Sequence, residues 1–141
     1  MVEGAVRDEG TSLHYLAPSR TVDADPAGVA AVQETLSAAG VPFVTGRTWT
    51  TDAIYRETRA RLDRRVPEGC VTVEMEAAAL MAVARYRGVR FAQLLYAGDS
   101  LAGPAWDERD WTRATVREQL FWHAADAALR LGRAEPVSLR G

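Results

Sequence analysis

Val71-Thr-Val-Glu-Met-Glu-Ala-Ala-Ala-Leu80 decides the reading of the fold. Cys70 to Glu74 has the β-branched character of a buried strand. From Met75 the spacing becomes helical, with Met75, Ala78, Ala79, Ala82, Val83 and Tyr86 on one face and Gly88 closing the element. The strand therefore stops at Glu74 and turns at once into a helix. Two carboxylates, Glu74 and Glu76, then flank Met75 at a strand's C-terminal end, the edge at which open α/β sheets bind ligands. Carboxylates so placed can accept hydrogen bonds from hydroxyl groups or move a proton. A second apolar run, Arg90 to Tyr96, reads as the next strand, buried on both faces, and brings Asp99 to the same edge. Strand, helix, strand in this order predicts a right-handed parallel unit.

Upstream, the segment through Pro18 alternates loosely, as a strand with an irregular continuation. Asp25-Pro26 supplies an N-cap followed by proline at the first helical position, and the run to Ala39 ends at Gly40. Val29, Val32, Leu36 and Ala39 form its apolar stripe. Val41-Pro-Phe-Val-Thr45 reads as a strand with Pro42 near its start, where a missing N–H is tolerated. Thr50-Thr-Asp52 is a cap for a short helix beginning at Ala53. Five arginines between Arg56 and Arg65 read as a solvated helix face. Downstream, Asp107 to Leu131 is predicted as one long helix with Val116, Leu120, Ala124, Ala127 and Leu131 in a stripe, Asp107, Glu108 and Asp110 at its positive end and Gly132 after it. The expectation is an α/β domain over residues 1–133, three-layer αβα with a mixed, mostly parallel sheet and a long C-terminal helix, followed by a flexible tail at 134–141.

At 141 residues the chain suffices for one domain. A net charge of −2 gives no reason to expect nucleic acid or an acidic membrane as partner. All 17 basic residues are arginine, which removes lysine Schiff-base chemistry and a P-loop lysine. The lone Cys70 excludes an intramolecular disulfide and reads as a small apolar residue opening a strand. The N-terminus carries no apolar signal segment and no stretch approaches membrane-spanning length, so a soluble cytoplasmic protein is expected. His14 and His123 lack metal-ligand spacing, so no metal is expected and both are assigned structural roles; Trp106, Trp111 and Trp122 are expected to pack around the last helix.

Val73-Glu-Met-Glu-Ala-Ala-Ala79, with Thr48-Trp-Thr-Thr-Asp-Ala-Ile-Tyr-Arg-Glu-Thr58 and Ala5-Val-Arg-Asp-Glu-Gly-Thr-Ser-Leu-His-Tyr15, resembles the C-terminal part of the nucleoside phosphorylase family, which includes purine nucleoside and uridine phosphorylases and related nucleosidases. The resemblance runs in order from about Ala5 to Leu131. It implies a small-molecule nucleoside as ligand, inorganic phosphate as co-substrate, no resident cofactor, and a homo-oligomer. It also implies that Glu76 binds the ribose hydroxyls, that Met75 packs on the sugar and that Glu74 contacts or supports the group. Ile54 and Tyr55 lie where the family sets an aromatic residue against the base, with Ile54 departing from that pattern. Asp99 matches the aspartate that, in purine-specific relatives, gives a proton or hydrogen bond to the base, which favours a purine. Uridine-specific relatives read the pyrimidine with a glutamine and arginine pair, to which Arg59 or Arg61 is an imperfect match.

The family's N-terminal half carries a Gly-rich phosphate loop and phosphate-binding arginines, and no Gly-rich anion cradle occurs in this sequence. The expectation is therefore a C-terminal portion that is inactive in phosphorolysis unless another polypeptide supplies that half. Two other readings stay open: a nucleosidase in which water replaces phosphate, and a non-catalytic domain that binds nucleosides or serves assembly.

Overall fold

Buried Val2, Ala5 and Val6 make Val2–Asp8 the first strand, β1, and the computed structural model, which describes residues 1–97 and 114–133, builds the rest around it. β2 (Thr21–Asp23) pairs antiparallel with β1, while β3 (Gly46–Thr51) and β4 (Cys70–Glu74) add parallel strands on its other side. The order is β2-β1-β3-β4. The three parallel strands therefore deliver Asp8, Thr51 and Glu74 to one edge.

Helix α1 (Pro26–Ala38) starts as its sequence requires: Asp25 Oδ1 accepts from the Gly28 N–H at 2.7 Å, with Pro26 inside the first turn. Gly40, at φ 65°, follows its end, and Gly88, also at φ 65°, ends helix α3 (Ala77–Arg87); both sit in the left-handed region that glycine enters without a Cβ clash. Helix α2 (Arg59–Arg65) joins β3 to β4, and helix α4 (Ala114–Arg133) lies against α1 through Ala127, Val32 and Leu36. Val29 is half-buried and Ala39 exposed.

The sheet carries helices on both faces. On one, Ala77, Ala78 and Met81 of α3 pack with Val2, Ala5, Val22 and Ala24. On the other, α2 sets the Arg65 guanidinium 5.1 Å from the centre of the buried Trp49 ring. The α/β class with a mixed, mostly parallel sheet and a C-terminal helix is the expected one.

Several elements differ from expectation. Val41 to Thr45 is not a strand: the Val41 N–H closes α1 on the Leu36 carbonyl at 3.0 Å, and the Met1 amino group donates to the Val44 carbonyl at 2.7 Å. The strand is the polar-looking Gly46-Arg-Thr-Trp-Thr-Thr51, whose threonines at 48, 50 and 51 are fully buried. Thr50 and Thr51 thus belong to β3 rather than to a helix cap, and only a single 3-10 turn, Ile54–Arg56, precedes α2. Arg90 to Tyr96 forms no strand; Gln93 makes an isolated antiparallel bridge to Val2. β1 is already flanked by β2 and β3, so the run reaches only its first residue. The parallel unit expected after β4 is accordingly not formed, and the parallel crossovers run β1 to β3 and β3 to β4.

The helix expected from Met75 starts at Ala77 and buries Ala77, Ala78, Met81, Ala82 and Ala84. Tyr86 is exposed, edge-on to Tyr15. In α4 Ala127 is buried, but Ala124 and Trp122 are exposed, the latter at 59% and stacked edge-on to Phe121. The part of that helix expected at 107–113, Trp106, Trp111 and the tail at 134–141 lie outside the described residues. No helix among the described residues is long and apolar enough to cross a membrane.

Candidate active site

The register Thr50↔Glu74 puts these two side chains on the same face of neighbouring strands, next to the N-terminus of α3. Glu74 is enclosed by donors. Its Oε1 accepts from Thr50 Oγ1 at 2.6 Å, with Thr48 Oγ1 3.3 Å away. Its Oε2 accepts from the N–H groups of Glu76 at 2.8 Å and Ala77 at 2.6 Å. Thr50 Oγ1 also accepts from the Ala78 N–H at 3.0 Å. Three of the first backbone donors of the helix are satisfied by this pair of side chains, which is why residues 75 and 76 stay outside the helix as a bend.

The second carboxylate stands differently. Glu76 is exposed, and its Oε2 accepts from the Met75 N–H at 3.2 Å. It sits at the N-cap position of α3, beside the partial positive charge of the helix terminus, where an anion is favoured. Met75 is 41% exposed next to it. Ile54 and Tyr55 follow β3 at the same edge, 54% and 96% exposed, so the Tyr55 ring offers both faces to solvent. Asp99 lies outside the described residues. Among those described, then, Glu76 and Met75 meet on one bend, Ile54 and Tyr55 follow the end of the adjoining strand, and Glu74 is half-buried against Thr50 and the start of α3.

Two residues shaping this edge escape a reading by hydrophobicity: Thr48 and Thr50. Their alternation within β3, in register with Glu74, is the signal that could have found them. A third group is ionic. Asp8, at the end of β1, accepts from Arg65 at 2.9 Å and from Trp49 Nε1 at 2.9 Å, with Arg61 at 3.4 Å. Burial alone would raise the Asp8 carboxyl, but the hydrogen bonds from Arg65 and Trp49 and the two arginine charges outweigh it and hold it below the usual carboxylate value. Arg65 also reaches Glu68 at 3.2 Å and is buried, so the arginine run is not a solvated face throughout; Arg56 and Arg64 are exposed. Behind β1, Arg7 donates to Ser12 Oγ at 2.8 Å and Ser19 Oγ at 2.6 Å, and Ser12 Oγ in turn donates to Glu9, holding the loop after the strand. His14 is exposed.

Two cavities lie elsewhere. One of about 170 Å³ is bounded by Asp23, Asp25, Met81, Arg85 and Phe91. The other, of about 790 Å³, lies at the opposite edge of the sheet between Val44, Val71, Leu94, Leu120 and His123. Neither is lined by Glu74, Met75, Glu76, Ile54 or Tyr55. Among the described residues, Glu74, Met75, Glu76, Ile54 and Tyr55 stand at the C-terminal edge of the sheet.

Solved structures with a similar fold include a nucleosidase and two proteins described as purine nucleoside phosphorylase or its homologue. AMP nucleosidase from Bacteroides thetaiotaomicron superposes with a TM-score of 0.73 at 20% identity, over 95% of this chain and 53% of that one. Purine nucleoside phosphorylase from Toxoplasma gondii, in complex with immucillin-H, gives 0.74 at 20% identity over 92% and 54%. The P. knowlesi homologue of P. falciparum PNP gives 0.55 at 26% identity over 63% and 38%. The chain thus spans about half the length of the Bacteroides thetaiotaomicron and Toxoplasma gondii proteins. No curated protein matches it in sequence. The sequence profile of the Phosphorylase superfamily, however, matches residues 1–132, nearly the whole chain, and the protein belongs to that superfamily.

Proposed function

We propose that this chain forms the ribose- and base-facing part of a site that cleaves the N-glycosidic bond of a nucleoside, preferentially a purine nucleoside. One observation carries the reading: of the two acids in Glu74-Met-Glu76, the first is occupied by four donors of its own fold while the second stands exposed at the C-terminal sheet edge. Glu76 accepts hydrogen bonds from the ribose 2′- and 3′-hydroxyls, Met75 packs on the sugar and Tyr55 stacks on the base with Ile54 beside it. Cleavage builds positive charge on the ribose and negative charge on the leaving base. A phosphate oxygen bonds to C1′ as the C1′–N bond breaks, the base leaves with the electron pair, and Asp99 supplies a proton or hydrogen bond to it.

Calorimetric titration with inosine, adenosine and uridine tests the binding. Saturable binding is expected, tighter for the purine nucleosides, and Glu76→Gln is expected to weaken it about tenfold or more, the loss of charge-assisted hydrogen bonds. Absence of affinity at millimolar concentrations would favour a non-catalytic assembly domain. Turnover is followed with and without phosphate, both for this chain alone and after joining it to the rest of a superfamily domain. The 141 residues contain no Gly-rich anion loop, so the chain alone is expected to be slow in phosphorolysis. The likeness to AMP nucleosidase over 95% of the chain favours hydrolysis as the second reading. Free ribose among the products selects it; ribose 1-phosphate selects phosphorolysis.

A further inference from the structure

We infer that Thr50 is the positioning residue of this nucleoside site, acting through Glu74 to decide which of two neighbouring carboxylates is offered to the ligand; the inference rests on the function proposed above. The hydroxyl is completely buried at the end of β3 and uses both of its hydrogen-bonding capacities: its proton goes to Glu74 Oε1 at 2.6 Å and a lone pair takes the Ala78 N–H at 3.0 Å. One atom therefore ties β3, β4 and the first turn of α3 together.

The consequence lies two residues further along. With Oε1 held by Thr50, Oε2 of Glu74 faces the N–H groups of Glu76 and Ala77, and those bonds set the bend that carries Met75 and Glu76. Thr48 is a weaker holder, since its Oγ1 lies 3.3 Å from both Glu74 Oε1 and the Thr72 carbonyl and has one proton for the two. Without the Thr50 hydroxyl the Ala78 N–H is left buried without its partner and Glu74 loses its shortest side-chain bond. Its carboxylate, then held by the two N–H groups and Thr48 alone, is less firmly kept from the edge where Glu76 stands, and the bend that presents the ribose-binding carboxylate loosens.

The test compares inosine affinity of the full chain, by calorimetry, in wild type, Thr50→Val and Thr50→Ser, with hydrogen exchange at the Ala77 and Ala78 amides read alongside. Thr50→Val is expected to bind about tenfold more weakly and to exchange faster at both amides, while Thr50→Ser keeps the hydroxyl and stays within about threefold of wild type. Gly88→Ala, which strains the far end of α3, serves as a destabilised control with unchanged affinity. If the valine variant does not fold, Thr50→Cys, with its weak donor, takes its place. Wild-type binding matched by Thr50→Val, or a serine variant as weak as the valine one, overturns this inference alone. A wild type that binds no inosine overturns the proposed function and this inference with it.

Discussion

Asp8 is the residue at which charge and stability are coupled. Its folded-state pKa lies below the unfolded value of 3.8, so its contribution is complete above that value and is lost as the pH falls through the folded one. Asp8→Asn is expected to lower stability by about 1–2 kcal/mol at neutral pH, the worth of hydrogen bonds to a charged group, and the difference from wild type should shrink below about pH 4. Urea titrations at several pH values measure this; a pH-independent difference would contradict it. Cys70 behaves oppositely. Burial, and secondarily the Glu68 charge, push its thiol up to about 11. At pH 7.4 the native thiol should react with a disulfide reagent about tenfold more slowly than in the urea-unfolded chain, because the smaller thiolate fraction is partly offset by the greater nucleophilicity of a more basic thiolate. Comparable rates in the two states would show that the thiol is not shielded.

At the scale of elements, the helix ends are written locally and should respond locally. Asp25→Ala removes the cap of α1, and Gly88→Ala forces a Cβ into a left-handed position; each is expected to cost about 1 kcal/mol, read as a shift in the urea midpoint. Their effects are expected to couple, because Asp25 Oδ1 also lies 3.6 Å from Nη1 of Arg90, two residues past Gly88, and the double variant measures that coupling. These ends were legible because an Asp-Pro pair and a glycine after an apolar stripe act within one turn of chain. β3 was not legible. Thr48 and Thr50 are buried beside Glu74, which comes from a strand more than twenty residues later and takes the Thr50 hydroxyl proton, and no local periodicity reports such a partner. Arg65 is the same case: its burial depends on Trp49 and Asp8, which only the sheet brings beneath α2.

Across the whole molecule, the about 790 Å³ groove at the edge opposite the candidate site is walled by apolar side chains, among them Val44 and Val71, both more than half exposed. We propose that these exposed apolar side chains take part in self-association, the oligomer anticipated from the family resemblance. The chain is therefore expected to enhance the fluorescence of an apolar dye and to scatter light as a species larger than 15.4 kDa. A monodisperse monomer without dye binding would count against this. The amino-acid sequence by itself determined the α/β class, the Cys70–Glu74 strand running into a helix, and both helix ends, because strand and helix periodicities and capping act over a few residues. It also placed Glu74, Met75 and Glu76 at a strand's C-terminal end. Only the tertiary structure decided that Thr50 engages Glu74 and leaves Glu76 exposed, that the strand begins at Gly46 rather than Val41, and that Arg90 to Tyr96 does not join the sheet. Each of those outcomes depends on which groups arrive from distant parts of the chain to satisfy a hydrogen bond or to occupy a strand's flank.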